Sequence, residues 1–179
     1  MKNLKIIYTI LFSLLYTVIN AQEKSLENEN DTKQYLVALF KTRDAKSNGE
    51  DITPEILKAN QSLQFYKSSD SDEILFSNFW KKTNSQSYGY IYSIVKEENP
   101  DKEEENKSEL YKFQWSYCNS YDNKKGTAEV TLLLVYKPRG TYFEITILPE
   151  NLDELIYKGE MYGDLLPLDY NIKKQNENQ

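Results

Sequence analysis

Between residues 110 and 148 apolar and polar residues alternate in three consecutive runs, the clearest pattern in the chain. Tyr111, Phe113, Trp115 and Tyr117 interleave with Lys112, Gln114, Ser116 and Cys118. That period of two puts one side of a strand on a core. Residues 122–126 read as a hairpin loop, 127–137 as a second strand and 141–148 as a third. Pro138, Arg139 and Gly140 read as a tight three-residue connection, with glycine where positive φ is needed.

Register follows from these turns. Pairing Lys137 with Thr141 sets Val135 against Phe143, Leu133 against Ile145 and Thr131 against Ile147. Pairing Tyr121 with Thr127 sets Phe113 beside Val135, Trp115 beside Leu133 and Tyr117 beside Thr131. Both turns then gather apolar residues on one face, and a slip of one residue would scatter them. The opposite face carries the rows Cys118–Val130–Leu148, Ser116–Leu132–Thr146, Gln114–Leu134–Glu144 and Lys112–Tyr136–Tyr142. The middle strand is apolar on both sides, so something must cover part of the second face.

Helical spacing of Tyr35, Leu36, Leu39 and Phe40, behind Asp31 as a cap, predicts a helix over 31–43. It is the nearest candidate to cover the sheet. A polar loop over 44–51 precedes Thr53 and Pro54, which predict a short helix to Ala59. Strands are expected over 62–67, 73–81, 87–95 and 155–162. The expected fold class is α+β: an N-terminal helix followed by an antiparallel meander of six or seven strands, able to curl toward a barrel. One domain spans 31–166, between a mobile leader (22–30) and a polar tail (167–179). Residues 97–109 carry seven acids and two lysines, which predicts a solvated, flexible loop.

The N-terminus changes the picture of where this domain works. Lys2 and Lys5 precede a mostly apolar run over residues 6–19, and Ala21 closes it before Gln22. That layout is a secretory signal peptide over 1–21. The run is 14 residues, against the roughly 20 a spanning helix needs. Cleavage would leave a secreted or periplasmic chain of 158 of the 179 residues, with no membrane attachment. It would carry 20 basic against 28 acidic residues, a balance that disfavours nucleic acid as a partner.

The chain has no histidine and a single cysteine, Cys118. An internal disulfide is impossible, and histidine-based triads, dyads and zinc sites are excluded. Cys118 reads best as a small core filler, with an intermolecular disulfide as the second reading. The runs 70–73 and 97–109 lack the spacing of a calcium loop. No metal, cofactor or catalytic constellation is predicted.

Three function classes stay open. The first is a noncatalytic binding module for a protein, peptide or carbohydrate, using Lys112, Gln114, Tyr136, Tyr142 and Glu144 on the mixed sheet face. The second is a carrier whose strands close around a small apolar ligand, with Phe113, Trp115 and Phe143 as lining. The third is a carboxylate hydrolase built on Glu129 and Glu144. The expected register points those two acids to opposite faces, which disfavours it.

Overall fold

The structure, a computed structural model, describes residues 34–69, 71–97, 107–165, 168–169 and 172. The signal segment and leader expected over 1–30, and residues 98–106 of the acidic stretch, lie outside them. The order of elements is β1 (Gln34–Ser47), β2 (Glu50–Asp51), α1 (Thr53–Ala59), β3 (Gln61–Ser68), β4 (Ile74–Trp80), β5 (Ser85–Glu97), β6 (Ser108–Asn119), β7 (Lys125–Lys137), β8 (Gly140–Pro149) and β9 (Leu155–Gly163). Every pairing is antiparallel. Neighbours follow chain order from β3 to β9, and β1 pairs with both β3 and β9. The eight long strands therefore close into an up-and-down barrel, with β2 a short addition to the end of β1.

Of the helix expected over 31–43, residues 31–33 lie outside the described residues and the rest is instead part of strand β1. Ala38, Phe40, Thr42 and Ala45 are its buried residues, and bulges at Leu36/Ala38 and Thr42/Asp44 keep them in phase with the interior. Closure overrides the local helical pattern, because β1 bridges β3 on one side and β9 on the other. No helix is then needed to cover a second face, since the sheet covers itself. The fold is thus almost all β rather than α+β. The other expected strands all form, and the short helix forms over Thr53–Ala59 as expected.

Both turn registers differ from expectation. Lys137 pairs with Gly140, so the connection is the two residues Pro138 and Arg139. Cys118 pairs with Lys125, and Asn123 takes positive φ in the loop between them. Each shift is odd, so β7 turns over relative to both neighbours. Trp115 faces Ala128 and Phe113 faces Val130, while Ile145 faces Leu132 and Phe143 faces Leu134. Leu133 and Val135 lie on the outer wall, opposite in phase to Trp115 and Phe143.

Phe40, Phe65, Phe76, Phe113, Phe143 and Trp115 fill the interior, none more than 4% exposed. Their rings meet edge to face or tilted, with centroids 4.8 Å apart for Phe65–Phe76, 4.9 Å for Phe76–Trp115 and 5.0 Å for Phe40–Phe143. Eight strands enclose a space about wide enough for such side chains to fill. The middle of the barrel is therefore packed. Phe113 and Phe143, expected as possible cavity lining, are core.

The two ends are closed differently. At one end Leu165 and Leu168 are buried in the core, and Ile172 packs against it. Leu168 and Ile172 fall within the stretch read from sequence as polar tail. Asp169 accepts hydrogen bonds from the Tyr111 hydroxyl and Lys96 Nζ, both at 3.1 Å, which ties this segment to β5 and β6. Glu109 joins the same cluster, accepting from Tyr136 at 2.7 Å and pairing with Lys96 and Lys107.

Burial pushes the Glu109 carboxyl up, but hydrogen bonds from Tyr136, Lys107, Lys96 and Tyr111 together outweigh it and hold its pKa down at about 2. A carboxyl whose folded pKa is depressed stabilises the fold fully above its ordinary value of 4.5, and the contribution fades as pH falls toward 2. Glu109→Gln is expected to cost about 1.5–3 kcal/mol at neutral pH. The variant should also lose less stability than the parent between neutral pH and a pH midway between those two values. Urea titration at both pH values measures this, and parallel acid losses would show that Glu109 does not carry the dependence.

At the other end α1 lies across the barrel. Ile56 is its buried residue, and the backbone of Ala59 accepts from Lys82 N between β4 and β5. Thr53, expected as the cap, instead opens the helix and anchors it. Its Oγ1 accepts from Ala45 N at 2.9 Å, at the bulge in β1.

Candidate functional site

Beside α1 the barrel end is open. A recess of about 480 Å³ there is lined by Ile52, Asn78, Trp80, Trp115, Tyr117, Asn119, Tyr121, Leu152, Leu155 and Tyr157, with Thr83, Ser85, Ser87, Ile147 and Pro149 completing it. None of these residues is charged, in a chain with 28% charged residues. The volume is in the range of small-molecule sites.

Strand phase places the side chains. In β4, Phe76, Asn78 and Trp80 share the inward phase, so the strand passes from core to recess within two steps. Trp115 and Tyr117 do the same in β6, their rings 4.6 Å apart and tilted by 34°. Trp115 Nε1 donates to the Phe76 carbonyl at 3.1 Å, which fixes the indole between core and recess. Both tryptophans of the chain thus line one site.

Amides and hydroxyls punctuate the aromatic wall. Ser87 Oγ donates to Asn119 Oδ1 at 2.7 Å. Gln61 Nε2 donates to Asn78 Oδ1 at 2.7 Å, and Asn78 Nδ2 donates to the Tyr157 hydroxyl at 3.3 Å. Burial pushes the Tyr157 phenol up to about 12, against a smaller opposing effect of the Asn78 hydrogen bond. The phenol is neutral and protonated at any physiological pH. The site can stack and hydrogen-bond a small ring, and among the described residues its lining offers no ion to a charged one.

The five residues singled out from sequence are not gathered in one place. Lys112 and Gln114 lie on the outer wall of β6, opposite Thr131 and Glu129, and Lys112 pairs with Glu97 at 2.9 Å. Tyr142 and Glu144 lie on the outer wall of β8, opposite Val135 and Leu133. They border a groove of about 340 Å³ with Arg43 and Lys158, and Glu144 pairs with Lys158 at 2.7 Å. Tyr136 pairs with Thr141 beside Tyr142, but it follows the inward phase of β7 and is bonded to Glu109.

Glu129 and Glu144 share the outer face, contrary to the expected opposite faces. They pair with Leu148 and Leu133, four residues apart along the strand. At about 3.3 Å per residue that separation exceeds the reach of two carboxylates flanking one glycosidic bond. Cys118 is a free, half-buried thiol whose Sγ lies 3.8 Å from the Asn119 carbonyl.

The sequence reading missed the recess itself. A usable signal was present: Gln61, Asn78 and Asn119 are polar residues in the inward phase of their strands, each at the end where the recess opens. Polar residues in phase with a core mark either a site or a costly error.

The fold and site together define an antiparallel β-barrel with a neutral recess at one mouth. No protein-family model matches the chain, and no curated protein or solved structure is found to be similar to it. Among the described residues no helix is long and apolar enough to cross a membrane.

Proposed function

We propose that this protein is an exported, noncatalytic binder of a small uncharged ligand, held at the open mouth of the barrel. The observation that carries the reading is the recess lining: Trp80, Trp115, Tyr117 and Tyr121 beside Asn78, Asn119 and Ser87, with no charged residue among the described lining. Aromatic faces supply most of the contact energy in such a site, and a few fixed amides and hydroxyls orient the ligand. The packed phenylalanines beneath mean the ligand sits in the mouth and does not pass into the barrel. This narrows the carrier reading to a shallow site. The N-terminal layout of residues 1–21 supports a role outside the cytoplasm.

The test uses two probes that differ in charge. Neutral N-phenyl-1-naphthylamine is expected to bind saturably, accepting excitation energy from the two tryptophans. Its sulfonated analogue, 1-anilinonaphthalene-8-sulfonate, should bind at least tenfold more weakly. Trp80→Ala is expected to weaken the neutral probe by about tenfold or more, the effect of losing one large aromatic contact. Absence of saturable binding by the neutral probe would refute the reading.

A further inference from the structure

A chain of hydrogen bonds crosses the inside of the barrel from β1 through β3 and β4 to β9 and ends at the recess. Thr42 Oγ1 donates to Gln61 Oε1 at 2.7 Å, Gln61 Nε2 donates to Asn78 Oδ1 at 2.7 Å, and Asn78 Nδ2 donates to the Tyr157 hydroxyl oxygen at 3.3 Å. The way the two amides are turned sets the direction. Gln61 presents its oxygen to Thr42 and an N–H to Asn78, and Asn78 is oriented in the same sense. The chain therefore reaches Tyr157 as a donor and uses the phenol as an acceptor. The phenolic proton is left over.

Tyr157 is 1% exposed, and among the described hydrogen bonds none takes that proton. The side chain lines the recess next to Asn78. Leaving a buried donor unmatched is costly, so native proteins match nearly all of them, by protein, water or ligand. Donors upstream in the chain also polarise the phenol and make it a better donor.

We propose that the Tyr157 hydroxyl is the recognition donor of the recess, and that the ligand is a neutral flat-ring compound carrying a carbonyl oxygen set against it. A carbonyl is the strongest acceptor an uncharged ring commonly bears, and the uncharged lining excludes the carboxylate that would compete. The inference rests on the recess being the ligand site, as argued above, and adds the polar group the ligand must carry. Thr42, Gln61 and Asn78 are then positioning residues that fix which way the phenol can donate.

Displacement of bound N-phenyl-1-naphthylamine by 1-indanone and by indane, which differ in the carbonyl, tests this. 1-Indanone is expected to displace the probe at about tenfold lower concentration than indane, the effect of one hydrogen bond in a site shielded from water. Tyr157→Phe should bring the two together by weakening 1-indanone and leaving indane within twofold. The carbonyl stretch of carbon-13-labelled 1-indanone should move to lower frequency when bound to the parent protein and not when bound to Tyr157→Phe. If that variant does not fold, the stretch in the parent decides alone. Equal displacement by both compounds, a preference kept in Tyr157→Phe, an unshifted stretch, or probe binding that neither compound displaces would each overturn the inference and leave the recess reading intact. Failure of the naphthylamine itself to bind would overturn both.

Discussion

Replacing Phe65 with alanine is expected to cost about 3–5 kcal/mol, a large share of the roughly 5–15 kcal/mol that holds a domain of this size folded. Phe65 is fully buried and touches three rings, with centroids 5.4 Å from Phe40, 4.8 Å from Phe76 and 5.8 Å from Phe113. Those partners come from β1, β4 and β6, so this residue couples both sides of the barrel. Alanine would leave a hole that strand backbones, locked by two rows of hydrogen bonds, cannot collapse to fill. Phe65→Leu keeps more of the volume and should cost about 1.5 kcal/mol or less. The urea midpoint followed by near-ultraviolet circular dichroism reads both. A loss under about 1 kcal/mol for the alanine variant would mean that the interior is hollow, and that a ligand could lie deep in the barrel.

The second large effect is expected at the seam where the barrel closes. Gly159 pairs with Thr42 of β1 and Phe143 of β8, next to the Thr42/Asp44 bulge. A Cβ added there would lie 2.1 Å from the Lys41 carbonyl oxygen, and a backbone atom cannot swing aside. Gly163 repeats the arrangement one bulge earlier, with a Cβ 2.2 Å from the Val37 carbonyl. Bulge and glycine together let β1 bend tightly enough to meet both neighbours. Gly159→Val is therefore expected to cost about 3 kcal/mol or more, at the upper end of overpacking effects. Hydrogen exchange should locate the damage, with amides of β1 and β9 losing protection before those of β6 and β7. Uniform loss across the barrel would show that the seam is not its weak line.

How much of this was legible in the sequence depends on the strand. β6 and β8 are legible because each has one apolar side: Tyr111, Phe113 and Trp115 in the first, Phe143, Ile145 and Ile147 in the second. β7 was inverted because it offers two apolar sides, Val130–Leu132–Leu134 and Leu133–Val135. Pattern alone could not choose between them, and the choice fell to a loop length misjudged by one residue. The sequence of β1 reads as a helix because its bulges break the period of two, leaving Tyr35, Leu36, Leu39 and Phe40 at helical spacing. A bulge is visible only once the partner strands are known.

The candidate site was less legible still. Its residues come from β4, β5, β6, β8, β9 and the connections around them, and only closure brings these together. The residues chosen from sequence were those expected to share the mixed face of an open sheet. With β7 turned over, Tyr136 separates from Tyr142 and Glu144, and the rows that joined them dissolve. The inward polar residues Gln61, Asn78 and Asn119 were the better guide, since a barrel interior has no reason to hold amides except at an opening.

Closure has one more consequence. Among the described residues each of the eight long strands has a neighbour on both flanks, so the barrel presents no long bare strand margin to solvent. Another chain cannot append itself by continuing the ladder, which removes strand addition as a mode of partner capture and as a route into fibrils. For a chain that has no internal disulfide to fall back on, a rimless sheet is a defence against self-association.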